Sequence, residues 1–133
     1  MTFNHLVLIG GGHTNVLLMR KWLMHPKLMP EVPITIISKD IYLVYSAMFP
    51  SVLAKSIPLD DSLINIRSLA KKAKVSFIND EVTNIDFQLR KIYLKKRPSI
   101  CYSKLVLNFG SQTKISREFE ELVNNQVAFP IKP

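Results

Sequence analysis

Residues 5–18 read His-Leu-Val-Leu-Ile-Gly-Gly-Gly-His-Thr-Asn-Val-Leu-Leu: an unbroken apolar run, three consecutive glycines, and a second apolar run at helical spacing. This pattern predicts a strand, a tight turn and a helix in direct succession. Such a turn aims several backbone N–H groups and the positive end of a helix dipole at one point, which suits a pyrophosphate. Glycine serves there because a Cβ would hold the phosphates away. Gly10 and Gly12 fill the first two positions of a Gly-x-Gly-x-x-Gly pattern, and Asn15 stands where the third glycine is expected. Residues 34–38, Ile-Thr-Ile-Ile-Ser, read as a second strand and complete a βαβ unit, the context that such a pattern needs. The opening therefore reads as a dinucleotide site in a Rossmann-like α/β fold. The competing reading is a plain strand-to-helix turn. Asn15 favours it, because the third glycine ordinarily lets helix and strand pack closely.

Length and composition bound the rest. The chain has 133 residues, 47% of them apolar, which is enough to bury the core of one domain or a large part of one. No run of some 18 apolar residues occurs, and the first apolar stretch is broken by glycines, so neither a spanning helix nor a signal peptide is expected and the location expected is cytoplasmic. The single cysteine, Cys101, excludes an internal disulfide and a cysteine metal cluster; it reads as a half-buried strand residue. The net charge of +8 gathers at Lys71, Lys72 and Lys74 and again at Arg90, Lys91 and residues 95–97. The first group falls at a helix end, where cations suit the dipole, and the second brackets a hairpin, where lysines discourage edge pairing. Both read as solvated faces. Nucleic-acid binding would rest on charge alone, and peripheral contact with a membrane stays open.

Further along, residues 14–25 read as a helix ended by Pro26, with Trp22 and the methionines as packing residues. Residues 40–55 are aromatic and apolar without clear periodicity. A helix is predicted from Asp60-Asp61-Ser62 through Leu63, Ile66, Leu69 and Ala70 to the lysines at 71–74. A strand at 74–78 follows, then three β-like runs at 81–86, 91–94 and 99–102 that predict an antiparallel meander, and a buried strand at 104–108 ending on Phe109-Gly110-Ser111. The tail from 116 has one possible helical turn around residues 118–123 and then prolines.

Taken together, the glycines with His13, the Tyr45-Ser46-x-Met48-x-Pro50 loop, the three-strand insertion and the Leu-Val-Leu-x-x-Gly-Ser strand end resemble the FAD-binding N-terminal part of the pyridine nucleotide-disulfide oxidoreductase superfamily. Within it the likeness is to type II NADH-dehydrogenase-like flavoproteins, especially the kind fused to selenide, water dikinase. The resemblance implies a parallel sheet with flanking helices and a meander insertion, an FAD-binding domain over 1–115, and a linker or crossover over 116–133. It also implies roles for particular residues. Gly10, Gly11, Gly12 and His13 would line the pyrophosphate. Ser38 occupies the end of strand two, where an acidic residue usually holds the adenosine ribose; Asp40, two residues on, is the better candidate, with loop capping as its alternative. Tyr45, Ser46 and Met48 match the loop that passes near the isoalloxazine, and Val82 a position that meets the adenine through its backbone. Gly110 would let the chain approach the flavin, although Asn108 and Phe109 replace the usual small residues. Arg67 could reach a phosphate but reads better as a helix-surface residue.

Such enzymes carry a second glycine-rich βαβ unit for NAD(P)H, and no second Gly-x-Gly-x-x-Gly follows Gly12. The expected function is thus the FAD-binding portion of an NAD(P)H:acceptor oxidoreductase, with a separate NAD(P)H-binding chain or a selenide, water dikinase-like domain as possible partner. The alternative is a nucleotide-binding module without catalysis. An NAD-only or methyltransferase-like Rossmann domain fits less well, because strands cluster between residues 81 and 102 rather than alternating with helices.

Overall fold

The structure is a computed structural model that describes residues 4–110, 120 and 123–125. In chain order its elements are β1 (Leu6–Ile9), α1 (His13–Met24), β2 (Ile34–Ser38), β3 (Tyr42–Val44), α2 (Phe49–Leu53), β4 (Leu63–Asn65), α3 (Ile66–Lys72), β5 (Ser76–Asn79), β6 (Val82–Asp86), β7 (Lys91–Leu94), β8 (Ile100–Cys101) and β9 (Lys104–Leu107). Every residue of β1 and β2 is buried. Continuous apolar runs of that kind suit parallel strands covered on both faces. They form the centre of a parallel sheet ordered β5-β2-β1-β9.

The period of two along β1 divides the core into two layers. Leu6 and Leu8 face α1 and α3, packing with Val16, Met19, Trp22, Ile66 and Ala70. Val7 and Ile9 face the other way, onto Ile37, Ile92 and Tyr102 beneath the antiparallel meander β6-β7-β8. The molecule is thus three layers deep: helices, parallel sheet, meander. Ile92 is fully buried and joins the meander to the sheet. Ile92→Ala is expected to destabilise the fold by about 2–5 kcal/mol in denaturant melts, the usual result of truncating a sealed aliphatic side chain.

The fold class expected from sequence is the one observed, and four local expectations need correction. The helix predicted from Asp60 begins only at Ile66. Residues 59–62 make a 3-10 turn, and Leu63–Asn65 pairs antiparallel with Tyr42–Val44, a tertiary contact that outweighs local helical spacing. The helix cap is Asn65, whose side chain accepts the Ser68 N–H at 2.8 Å. Cys101 lies on a strand but is exposed. Finally, the lysines around β7 do not guard an edge, because β7 lies between β6 and β8. The expected helical turn at 118–123 and the boundary at 115/116 fall largely outside the described residues, of which 120, 123 and 124 are helical.

Candidate functional site

The glycine turn stands at the carboxyl ends of β1, β2 and β9, and its backbone is tied to all three. Gly10 N–H donates to the Ile37 carbonyl at 2.8 Å, Gly12 N–H to the Asn108 carbonyl at 3.2 Å, and Asn108 N–H to the Ile9 carbonyl at 2.7 Å. Gly10 has φ of 90°, the left-handed region. A Cβ there would overlap the Asn108 backbone, and one on Gly12 would overlap both the Asn108 side chain and its carbonyl. On Gly11 it would run into Ile66 and the Ser38 hydroxyl. The absence of side chains is therefore required by the surrounding protein as well as by any ligand.

Asn15, the departure from the glycine pattern, is fully buried. Its Nδ2 donates to the carbonyls of Gly10 at 2.8 Å and Ile9 at 3.2 Å, and its backbone N–H donates to Asn108 Oδ1 at 3.2 Å. The amide fills the space that a third glycine would leave and clamps the turn from beneath. Its Oδ1 is buried without a partner. Asn15, which favours the plain-turn reading by departing from the glycine pattern, thus holds the turn together, and Asn108, which stands where small residues are usual, is the contact that fixes it. Both could have been found as the lone polar residues on otherwise apolar surfaces: Asn15 on the inward face of α1, Asn108 at the end of the Leu-Val-Leu run.

Helix α1 starts at Gly12 with no side-chain cap and no acidic residue in its first turn. Among the described residues the N–H groups of Gly11, His13 and Thr14 have no hydrogen-bond partner. Three donors without a partner among the described residues and an uncompensated dipole therefore stand at the carboxyl end of the sheet, an arrangement that favours an anion. Gly110, with φ of 78°, lies two residues beyond Asn108, with nothing among the described residues within 4 Å of where a Cβ would stand.

The other predicted residues divide into those drawn to the glycine turn and those apart from it. His13 meets Tyr45, their ring centroids 5.7 Å apart, so the loop after β3 folds back over the start of α1. Ser46 opens the 3-10 turn that follows. Ser38 is buried against Gly11, and its hydroxyl accepts the Asp40 N–H at 3.3 Å. Asp40 is exposed, and its carboxylate makes no hydrogen bond among the described residues. Arg67 is exposed on α3, as expected of a surface residue. Val82 opens β6 opposite Leu94, its side chain packed on the meander-side core.

Just before Val82, a cavity of about 140 Å³ is lined by Lys39, Asn79, Asp80, Glu81, Lys95 and Lys96. Asp80 has a completely buried side chain and was not anticipated. Its Oδ1 accepts the Glu81 N–H at 2.8 Å, and both its oxygens accept from the Lys96 N–H, joining the sheet's end to the meander. Beside it Lys95 bonds Glu81 at 2.8 Å; that hydrogen bond first, then the charge, lowers the Glu81 pKa and raises that of Lys95. For Glu81 the benefit exists above the ordinary carboxylate range and is lost as acid protonates the group. Both groups are exposed, so the effect is small.

No protein-family model matches this sequence. A curated sulfide-quinone reductase from Aquifex aeolicus (strain VF5) is 26% identical over 117 residues, covering 88% of this chain and 26% of that protein. Among solved structures, the sulfide:quinone oxidoreductase of Aquifex aeolicus superposes with a TM-score of 0.72 at 23% identity, over 92% of this chain and 33% of the other. The NADH:rubredoxin oxidoreductase of Clostridium acetobutylicum gives 0.60 at 24% identity, over 84% and 29%. The fold is accordingly the mixed α/β, Rossmann-like fold of a parallel sheet with flanking helices that these oxidoreductase structures share. The chain spans about a quarter to a third of the length of these proteins.

Proposed function

We propose that this chain holds FAD, its pyrophosphate on the turn at residues 10–12 and the start of α1, as the flavin-binding portion of an NAD(P)H:acceptor oxidoreductase. The observation that carries the reading is the turn itself: three N–H groups without a partner among the described residues, at an uncapped helix start, in a turn where an added Cβ would meet neighbouring atoms. Bound there, FAD would supply two-electron chemistry by accepting hydride. The chain's own work is to bind and orient. Residues 11, 13 and 14 would donate to the phosphate oxygens, Ser38 and Asp40 would take the ribose hydroxyls, and Tyr45 and Ser46 would cover the cofactor from the loop after β3. Gly110 leaves the sheet's end open to close approach. The likeness to a sulfide-quinone reductase and an NADH:rubredoxin oxidoreductase supports this class. The acceptor, and any partner supplying an NAD(P)H site, whether a separate chain or a dikinase-like fusion, belong to the same proposal.

A second reading is nucleotide binding without turnover: within residues 1–133 the glycine beyond the turn is Gly110 alone, so these residues by themselves supply one glycine-rich phosphate turn. One titration separates the two. FAD added to the purified chain is expected to quench its own fluorescence saturably and to be displaced by ADP. Bleaching of the bound flavin by NADH under anaerobic conditions would support the catalytic reading for this chain alone, and saturable binding without bleaching the second. Absence of any FAD or ADP binding by the folded chain would overturn both.

A further inference from the structure

Ser38 and Asp40, the candidate ribose residues, sit where β2 ends, and the chain there is held by the neighbouring strand. β5 runs parallel to β2 with Asn79 in register with Ser38. Asn79 Nδ2 donates to the Ser38 carbonyl at 3.0 Å and to the Lys39 carbonyl at 2.8 Å. Two carbonyls can only accept, so the amide nitrogen is the atom that must face them. The Asp80 N–H donates to the same Ser38 carbonyl at 3.2 Å, and the Ser38 hydroxyl accepts the Asp40 N–H at 3.3 Å. For the Lys39 carbonyl, Asn79 is the sole partner among the described residues.

We propose that Asn79 is a positioning residue for the ribose end of the nucleotide site, a role that rests on the FAD reading above. By fixing the backbone at 38–40 it sets the preference for a ribose that carries a 2′-hydroxyl. Asn79 is exposed, so burial does not account for its place. That place is fixed from behind: the buried Asp80 carboxylate accepts the Glu81 and Lys96 N–H groups, with Arg97 Nε 4.0 Å away, and ties the end of β5 to the meander. On the other side the Ser38 hydroxyl lies against Gly11, 2.9 Å from where a Cβ would stand. One run of contacts therefore reaches from the glycine turn through Ser38 to Asn79. Without the Asn79 amide the Lys39 carbonyl turns to water, and Asp40, the next residue, loses its fixed position. Hydrogen bonds weaken steeply with distance and angle, so the ribose contact suffers while the N–H groups of residues 11, 13 and 14 keep theirs to the phosphates.

The full chain would be titrated calorimetrically with ADP and with 2′-deoxy-ADP, circular dichroism verifying the fold of each variant. The parent is expected to bind ADP about tenfold more tightly, the effect of one hydrogen bond from the hydroxyl to a charged group. Asn79→Ala should bring that ratio to about twofold or less. Asn79→Ser, whose hydroxyl can donate to one carbonyl and not two, should fall between them, and it carries the test if the alanine variant does not fold. Asp86→Ala, which removes the acceptor of the Leu89 N–H at the β6–β7 hairpin, should lower the melt and leave the ratio at the parent value. A merely structural Asn79 would weaken both ligands alike and preserve the ratio, which overturns the positioning role. Equal binding of the two ligands by the parent overturns that role too, while leaving the turn as a nucleotide seat. Absence of binding by either ligand to the folded parent overturns the FAD reading and the positioning role with it.

Discussion

Gly10→Ala is expected to lower the thermal midpoint by roughly 10–20 °C, the shift that a loss of about 2–4 kcal/mol produces in a chain of this size. Two costs combine. An alanine at φ of 90° bears backbone strain of about 1–3 kcal/mol, and its Cβ must displace the Asn108 carbonyl, which is backbone held in register by the Ile9 carbonyl. Gly110→Ala separates them. Gly110 has a similar φ of 78° but nothing within 4 Å of the added carbon, so it carries the strain without the collision. Its melt should fall by less than half as much. Equal shifts for the two variants would show that the turn and the end of β9 are not in the contact described.

Asn15→Asp keeps the side chain's shape and reverses the sense of its hydrogen bonds. An ionised carboxylate would face the Ile9 and Gly10 carbonyl oxygens where an NH2 group now donates, in a site with no solvent access. The aspartate must be protonated to donate there, so its folded pKa would rise above the ordinary ~3.9. The folded state then binds more protons than the unfolded one, and stability falls as pH rises through this interval, by up to about 1.4 kcal/mol per pH unit. Relative to the parent chain the variant should be nearly as stable near pH 4 and lose several kcal/mol by pH 7. A pH-independent difference in urea midpoints would place Asn15 somewhere less enclosed. Asn15→Ala, which removes the donor without adding charge, should lie between the two at neutral pH.

Much of this architecture was legible in the sequence, because periodicity and glycine spacing act locally. The runs at 6–9 and 34–38 are apolar throughout and could only be covered strands, and the turn between the first of them and α1 follows from three adjacent glycines. The meander also followed, from short alternating runs close together. What failed was whatever depended on a distant partner. Residues 63–65 carry helical spacing, yet they pair with 42–44, which no local pattern announces. Asn15 matched no motif because its meaning comes from carbonyls that only the folded turn presents, and Asp80 because its partners lie on β6 and beyond β7. In the candidate site, the glycine turn itself was legible, whereas the approach of Tyr45 to His13 and the bonds made by the buried Asn15 amide were not, because their partners meet only in the folded chain.

The bond from Asn15 to Asn108 spans 93 positions of sequence. The glycine turn looks like a local structure, but its shape is finished by a strand almost a hundred residues downstream. Contacts of such long sequence separation form late, after the loop entropy between them has been overcome. A chain emerging from the ribosome would therefore present strand and helix early and a finished glycine turn only once β9 had docked. The turn reaches its final shape only when β9 joins the sheet.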